Sequence, residues 1–239
     1  VGSPNFGLAY YLVDDIMKAF HHRYSFFIGC ALAAFALAGR AAAEEAPDVM
    51  IKRVSQEVID IAKHDKEIQN QNFSRITALV QAKILPHLDM ERATAITLGR
   101  HWREATPRQR QELIDNFRAL LMYTYAGAMS QIKNQTLEFR PFHAAPGDTD
   151  VEVRFRVKRL PNQSEPVQVS YRLWKSPEGW KIYDVNVLGV WLSQTYRNSF
   201  SSEISRSGID GLIATLEEKN KKLAAAKGQK AEEPPAPPT

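Results

Sequence analysis

The residues that most often carry out chemistry are scattered along this chain. Of its six histidines, His21 and His22 lie near the N-terminus, and His64, His87, His101 and His143 share no His-x-x-x-His or Glu-x-x-His spacing. A tetrahedral zinc site is not built from such a set. The single cysteine, Cys30, excludes an internal disulfide and every multi-cysteine metal centre. No Gly-x-Ser-x-Gly elbow and no phosphate-cradling P-loop occur. Acidic residues are plentiful, but none occupies an apolar pattern position as a buried acid. Asp184 and Asn186 read as sharing a strand face with Trp180 and Ile182, a pair better suited to hydrogen bonding at a strand end than to catalysis. The expectation is therefore no catalytic residue, no metal and no cofactor.

Composition points the same way. The 239 residues are 44% hydrophobic and 24% charged, the balance of a folded domain rather than a disordered or multi-span membrane chain. A net charge of +4 is too small to argue for nucleic acid. Arg154, Arg156, Lys158 and Arg172 fall on the solvent side of two strands. A charged face that keeps a sheet soluble explains them before a docking face does.

The N-terminal region reads as an address. Lys18 and Arg23 precede the apolar run Phe26 to Ala38, and Ala41 and Ala43 occupy the −3 and −1 places of a small-residue cleavage site. These are the parts of a secretory signal peptide over residues 17–43. Residues 1–16 read as an over-extended start. The apolar run is short for a membrane-spanning helix, and Cys30 lies inside it rather than at its end, which argues against a lipoprotein. The expectation is cleavage after Ala43 into a bacterial periplasm, where a thiol-free chain has nothing to mispair.

The elements that follow must do the positioning. Val54, Val58, Ile61 and Ala62 recur at helical spacing, and a second helical run from Phe73 is closed by Pro86. Asp89 can cap a short helix ending near Gly99. Thr106-Pro107-Arg108-Gln109 is a capping box with proline at the first helical position, opening the longest helix, through about Ser130. Leu113, Phe117, Leu120, Leu121, Thr124 and Ala128 form its apolar stripe, widened by Ile114, Tyr125 and Met129.

After Thr136 the period becomes two. Val151, Val153, Phe155 and Val157 alternate with charges, and so do Val167, Val169, Tyr171 and Leu173. With Thr136 to Phe142 and Trp180 to Leu188, four strands with short connections predict an antiparallel meander with one packed face. Helical pattern returns from Leu192, and Ser207-Gly208-Ile209-Asp210 reads as a capping box for a last helix through about Leu223. The segment 227–239 is Pro-rich without apolar periodicity and reads as a disordered tail. The whole predicts one α+β domain over residues 44–226: a helical N-terminal half, a four-stranded antiparallel meander sheet, and C-terminal helices packing back to enclose an apolar cavity.

Several segments resemble those of a known family. They include Ile84-Leu85-Pro86-His87-Leu88-Asp89-Met90, Leu98-Gly99-Arg100-His101-Trp102-Arg103-Glu104-Ala105-Thr106-Pro107, Phe117-Arg118 with Leu120-Leu121, and Thr124-Tyr125-Ala126. Further on come Gly179-Trp180-Lys181-Ile182-Tyr183-Asp184-Val185, Gly189-Val190, Tyr196-Arg197 with Phe200, and Gly211-Leu212-Ile213. In order and spacing they resemble the MlaC-type periplasmic phospholipid-binding proteins, also called toluene-tolerance auxiliary proteins. The resemblance implies a soluble carrier moving phospholipids between an outer-membrane lipoprotein complex and an inner-membrane ABC transporter complex, so that the outer leaflet stays free of phospholipid. It departs at Leu188-Gly189-Val190-Trp191, where family members commonly carry an acid before the glycine and a serine after the valine.

A carrier must bury two acyl chains, because each exposed CH₂ costs about 0.8 kcal/mol. The apolar positions expected to bind lipid are Phe117, Leu121, Tyr125, Val153, Phe155, Val157, Val169, Tyr171, Leu173, Val190 and Tyr196. Of these, Phe117 and Leu121 are expected to line one cavity together with Phe155 and Tyr171. The chain is taken as a monomer. An enzyme with an apolar pocket and a structural adaptor without ligand remain the rival readings.

Overall fold

The computed structural model describes residues 45–133, 135–158 and 165–228. The start at 1–16, the signal peptide at 17–43 and nearly all of the tail at 227–239 lie outside them.

The chain begins with helix α1 (Pro47–His64), whose Met50, Ile51, Val54 and Val58 make one buried face. A short α2 (Lys66–Gln69) follows, capped by Asp65. Helix α3 (Phe73–Lys83) is capped by Asn72, whose side chain accepts from the Arg75 amide. A 3-10 turn at Leu85–His87 carries Pro86 where its missing N–H costs nothing. As expected, the Asp89 carboxylate caps the next helix, α4 (Met90–Leu98), accepting from the Arg92 amide at 2.8 Å. After α5 (His101–Glu104) comes the long α6 (Pro107–Tyr125).

The capping box is present. Thr106 Oγ1 accepts from the Gln109 amide at 3.3 Å, and Gln109 Oε1 accepts from the Thr106 amide at 2.9 Å. Thr106→Ala is expected to lower stability by about 1 kcal/mol in a urea melt, the usual worth of a lost cap. The α-helix ends at Tyr125, and a 3-10 helix, Ala126–Gln131, completes the run.

The sheet is an antiparallel meander of five strands in the order β1-β2-β3-β4-β5. They are β1 (Thr136–Phe139), β2 (Asp150–Lys158), β3 (Val167–Ser176), β4 (Gly179–Val187) and a two-residue β5 (Val190–Trp191). The fifth strand was not expected, because two residues carry no alternation. The last helix, α7 (Leu192–Ala226), is kinked at Gly208, whose φ of 74° departs from helix.

No capping box forms at that kink. The Ser207 hydroxyl donates back to the Glu203 carbonyl at 3.0 Å, and Asp210 accepts from Gln109 Nε2 at 2.7 Å. Gly208 takes a positive-φ extended backbone open essentially to glycine and turns the chain there, while the Ser207 hydroxyl is engaged by Glu203.

Two apolar cores result. The sheet core joins α1 and α3 to Val151, Val153, Phe155, Val169, Leu173 and Ile182. The helical core joins α4, α6 and α7 through Leu98, Leu113, Phe117, Leu120, Phe200 and Leu212.

A bulge between the cores

The residue register of β3 and β4 shifts between Arg172 and Leu173. Arg172 opposes Asp184 while Leu173 opposes Ile182, which leaves Tyr183 as the extra residue. Opposed residues point to the same side, so the bulge puts Asp184 and Asn186 on the face of Arg172 and Ser170, away from Ile182. The expectation of a shared face is corrected here: strict alternation fails wherever one strand carries an additional residue.

The expectation of no buried acid is corrected as well. Asp184 is only 4% exposed. Its carboxylate accepts from Ser193 Oγ at 2.6 Å, the Ser193 amide at 3.1 Å and its neighbour Val185's amide at 3.0 Å. Arg172 stands 3.8 Å away. Ser193 lies in the first turn of α7, where free amides and the helix dipole favour an anion. The acid therefore clamps the start of α7 to β4. Its acceptor capacity is spent on holding backbone, and the group works as a fastener.

The ejected Tyr183 does a second job. Its hydroxyl donates to Asp150 at 2.7 Å, and its ring lies 4.4 Å from the Arg92 guanidinium. Arg92 also pairs with Asp150 at 2.7 Å, and Trp174 Nε1 donates to Asp89 at 2.7 Å. These contacts tie α4 to three strands.

Candidate lipid-binding site

The apolar face of the sheet is buried at its centre and more exposed at one end, with Tyr171 and Trp180 half-buried along it. On β2, Val151, Val153 and Phe155 are buried and Val157 is half-buried. On β3, Leu173 is buried and Val167 half-buried; on β4, Ile182 is buried, Val185 half-buried and Val187 exposed. Val157 and Val167 are directly opposed. The face is thus covered at the Leu173 end and more exposed at the end that carries Val157, Val167 and Val187.

Tyr171 lies on this face, packed against the sheet core. Burial alone pushes its hydroxyl up to about 12, yet the residue keeps accessible surface. Its ring lies 5.4 Å from Phe155, which stacks on Phe139 at 5.2 Å. Met122, Tyr123, Met129 and Ile132 pack against the same core. Tyr123 stacks on Phe73 at 5.3 Å. Walls of aliphatic, aromatic and methionine side chains suit a ligand whose buried part is hydrocarbon.

The structure brings six of the chosen positions together here: Val153, Phe155, Val157, Val169, Tyr171 and Leu173. The others lie elsewhere. Phe117 belongs to the helical core, edge-on to Tyr196 and Phe200 at 5.2 and 5.4 Å, and Leu121 packs on the same core. Phe117 and Leu121 border a cleft of about 60 Å³ where the two cores meet, lined also by Leu88, Met90, Leu192 and the sheet residues Ile182 and Val185, enough for a handful of waters. Phe117 and Leu121 therefore share no core with Phe155 and Tyr171. Tyr125 is exposed, its hydroxyl 3.5 Å from that of the half-buried Tyr196, and Val190 projects from the β4–β5 hairpin. The wall residues that the sequence reading passed over are Phe139 and Tyr123. Phe139 stood in plain alternation with Leu137, and Tyr123 lay one position off the α6 stripe.

No group of three or more His, Cys, Asp or Glu placed to hold a metal occurs among the described residues. None of the described helices is long and apolar enough to cross a membrane.

Comparison with known proteins gives the arrangement its context. A solved phospholipid-binding protein from Ralstonia solanacearum, in complex with a phospholipid, is 44% identical and superposes with a TM-score of 0.69. The match covers 74% of this chain and 98% of that one. The intermembrane phospholipid transport system binding protein MlaC of Haemophilus influenzae is 24% identical over 191 residues, 78% of this chain and 88% of that protein. The toluene tolerance protein ttg2D of Pseudomonas putida is 27% identical over 180 residues, 75% of this chain and 81% of that protein. The MlaC protein family model matches residues 52–218, most of the chain, and the chain belongs to that family.

Proposed function

We propose that this protein is a periplasmic phospholipid carrier. It takes both acyl chains into the chamber between the sheet and helices α1 and α3, and leaves the head group at the Val157–Val167 end. The observation that carries this reading is the phospholipid held by the Ralstonia solanacearum protein, aligned over nearly its whole length at 44% identity. The physical fit supports it. An acyl chain spans about half of the ~30 Å hydrocarbon core, so a chamber near 15 Å deep is needed. Strand β2, with nine residues, reaches about 30 Å at ~3.3 Å per residue and can wall one. A head group left in water avoids the cost of desolvating its charge.

In this reading residues 17–43 export the chain, which works as a monomer. Hand-off takes place inside docked complexes, with an outer-membrane lipoprotein complex on one side and an inner-membrane ABC transporter on the other, since free transfer would expose the chains. The role is binding rather than catalysis, in keeping with relatives named as binding proteins. Native mass spectrometry of detergent-free protein purified from cells is the test. The expected spectrum shows the chain plus one phospholipid mass. A spectrum of bare chain alone would overturn the proposal.

A further inference from the structure

The β4–β5 hairpin is built against the ordinary rules for such a turn. Val187 pairs with Val190, so the loop is only Leu188 and Gly189, with φ of 54° and 90°. Two positive φ values define a primed two-residue turn, whose first position normally goes to asparagine, aspartate or glycine. A leucine there is strained, because its Cβ crowds the backbone in the left-handed region. It is also 67% exposed, flanked by Val187 at 42% and Val190 at 57%. Only two other large apolar residues among those described, Val49 and Tyr125, stand out as exposed, and neither is in this hairpin. Neither folding nor solubility is served by this choice.

The tip is nonetheless held firmly. The Gly189 amide donates to the side chain of buried Asn186 at 2.9 Å, and the Leu188 amide donates to the Gln168 carbonyl at 3.0 Å. Behind the aliphatic tip comes the half-buried Trp191, and over its ring, at 3.8 Å, lies the guanidinium of Arg172. Apolar tip, indole and cation follow one another in the order of a bilayer's layers: hydrocarbon, interface and phosphate. A stable protein partner would ask for about 800 Å² of surface with aromatic or arginine anchors at its centre. Three aliphatic side chains on one turn fall short of that area, and Trp191 and Arg172 sit behind the tip rather than at its centre.

We propose that the Val187–Val190 hairpin is a membrane-surface probe: its tip dips into the acyl region of a phospholipid bilayer while Arg172 meets the phosphates. It stands at the more exposed end of the sheet's apolar face, so it would hold that end at the lipid surface where the docked complexes of hand-off form. That purpose rests on the carrier reading, whereas contact with a bilayer can be measured without it.

The test is flotation of the mature protein with vesicles of phosphatidylethanolamine and phosphatidylglycerol, beside the Leu188→Asn variant. Asparagine suits the turn, so this variant should melt at the wild-type temperature or above. Its vesicle-bound fraction should fall about tenfold, from the loss of one large aliphatic group. Wild-type protein that does not float would overturn the inference, as would a Leu188→Asn variant that floats equally well. So would binding that salt abolishes and the substitution leaves unchanged, since charge alone would then explain it. Co-purified phospholipid, extracted from the same samples, should be equal in both proteins. Its loss in the variant would make Leu188 part of the chamber wall and overturn the inference. Wild-type protein that floats but carries no phospholipid would sink the carrier reading and leave this one standing.

Discussion

Replacing Val157 by tryptophan is expected to strip the co-purifying phospholipid at least tenfold while leaving the fold close to wild-type stability. Val157 is half-buried on the apolar face and opposes the equally half-buried Val167. Part of its side chain is open, so an indole can extend outward with less displacement of neighbours than in the covered core. The control is Leu173→Trp at the closed end, where the side chain has no accessible surface. Overpacking there should cost roughly 1–3 kcal/mol. Lipid content by solvent extraction and stability by urea melt of delipidated protein make a paired readout. If Val157→Trp kept its lipid and lost stability as Leu173→Trp does, Val157 would belong to ordinary core and the mouth would lie elsewhere.

The largest expected effect on stability is that of Asp184→Ala, a loss of about 3 kcal/mol. The substitution removes three hydrogen bonds to a buried carboxylate and leaves the Ser193 amide and hydroxyl without a partner. Unpaired buried groups of this kind cost about 1–3 kcal/mol each, less whatever water recovers. It also frees the first turn of α7 from β4. Ser193→Ala should cost about 1 kcal/mol, since the amide bond to Asp184 survives it. The double variant should lose clearly less than the two single losses added, because both act on one contact. Strict additivity in urea melts would show that the clamp is not what Asp184 contributes.

The sequence determined the elements and much of what they do. The capping box at Thr106, the cap at Asp89, and the alternation of Val151, Val153, Phe155 and Val157 are local rules, satisfied within a few residues. They hold in the structure because tertiary packing has no reason to oppose them. Short connections then left only antiparallel pairing, and the meander followed. The segments Leu98 to Pro107 and Gly179 to Val185 pointed to the family through order and spacing alone.

Which apolar face meets which was decided by tertiary structure. The stripe on α6 and the face on β2 and β3 look alike in sequence, since both are simply hydrophobic. The fold sends Phe117 and Leu121 to the helical core and Phe155 and Tyr171 to the sheet core. The bulge at Tyr183 was equally invisible, because one extra residue in a strand changes no composition. It turns Asp184 from an apparent neighbour of Ile182 into the anchor of α7. Exposure, too, is a property of assembly: Val153 and Val187 are the same side chain, one shut beneath the helices and the other left at the open end. Hydrophobicity is a scalar carried by each residue, whereas a cavity is a relation among residues distant in sequence, and only packing creates it.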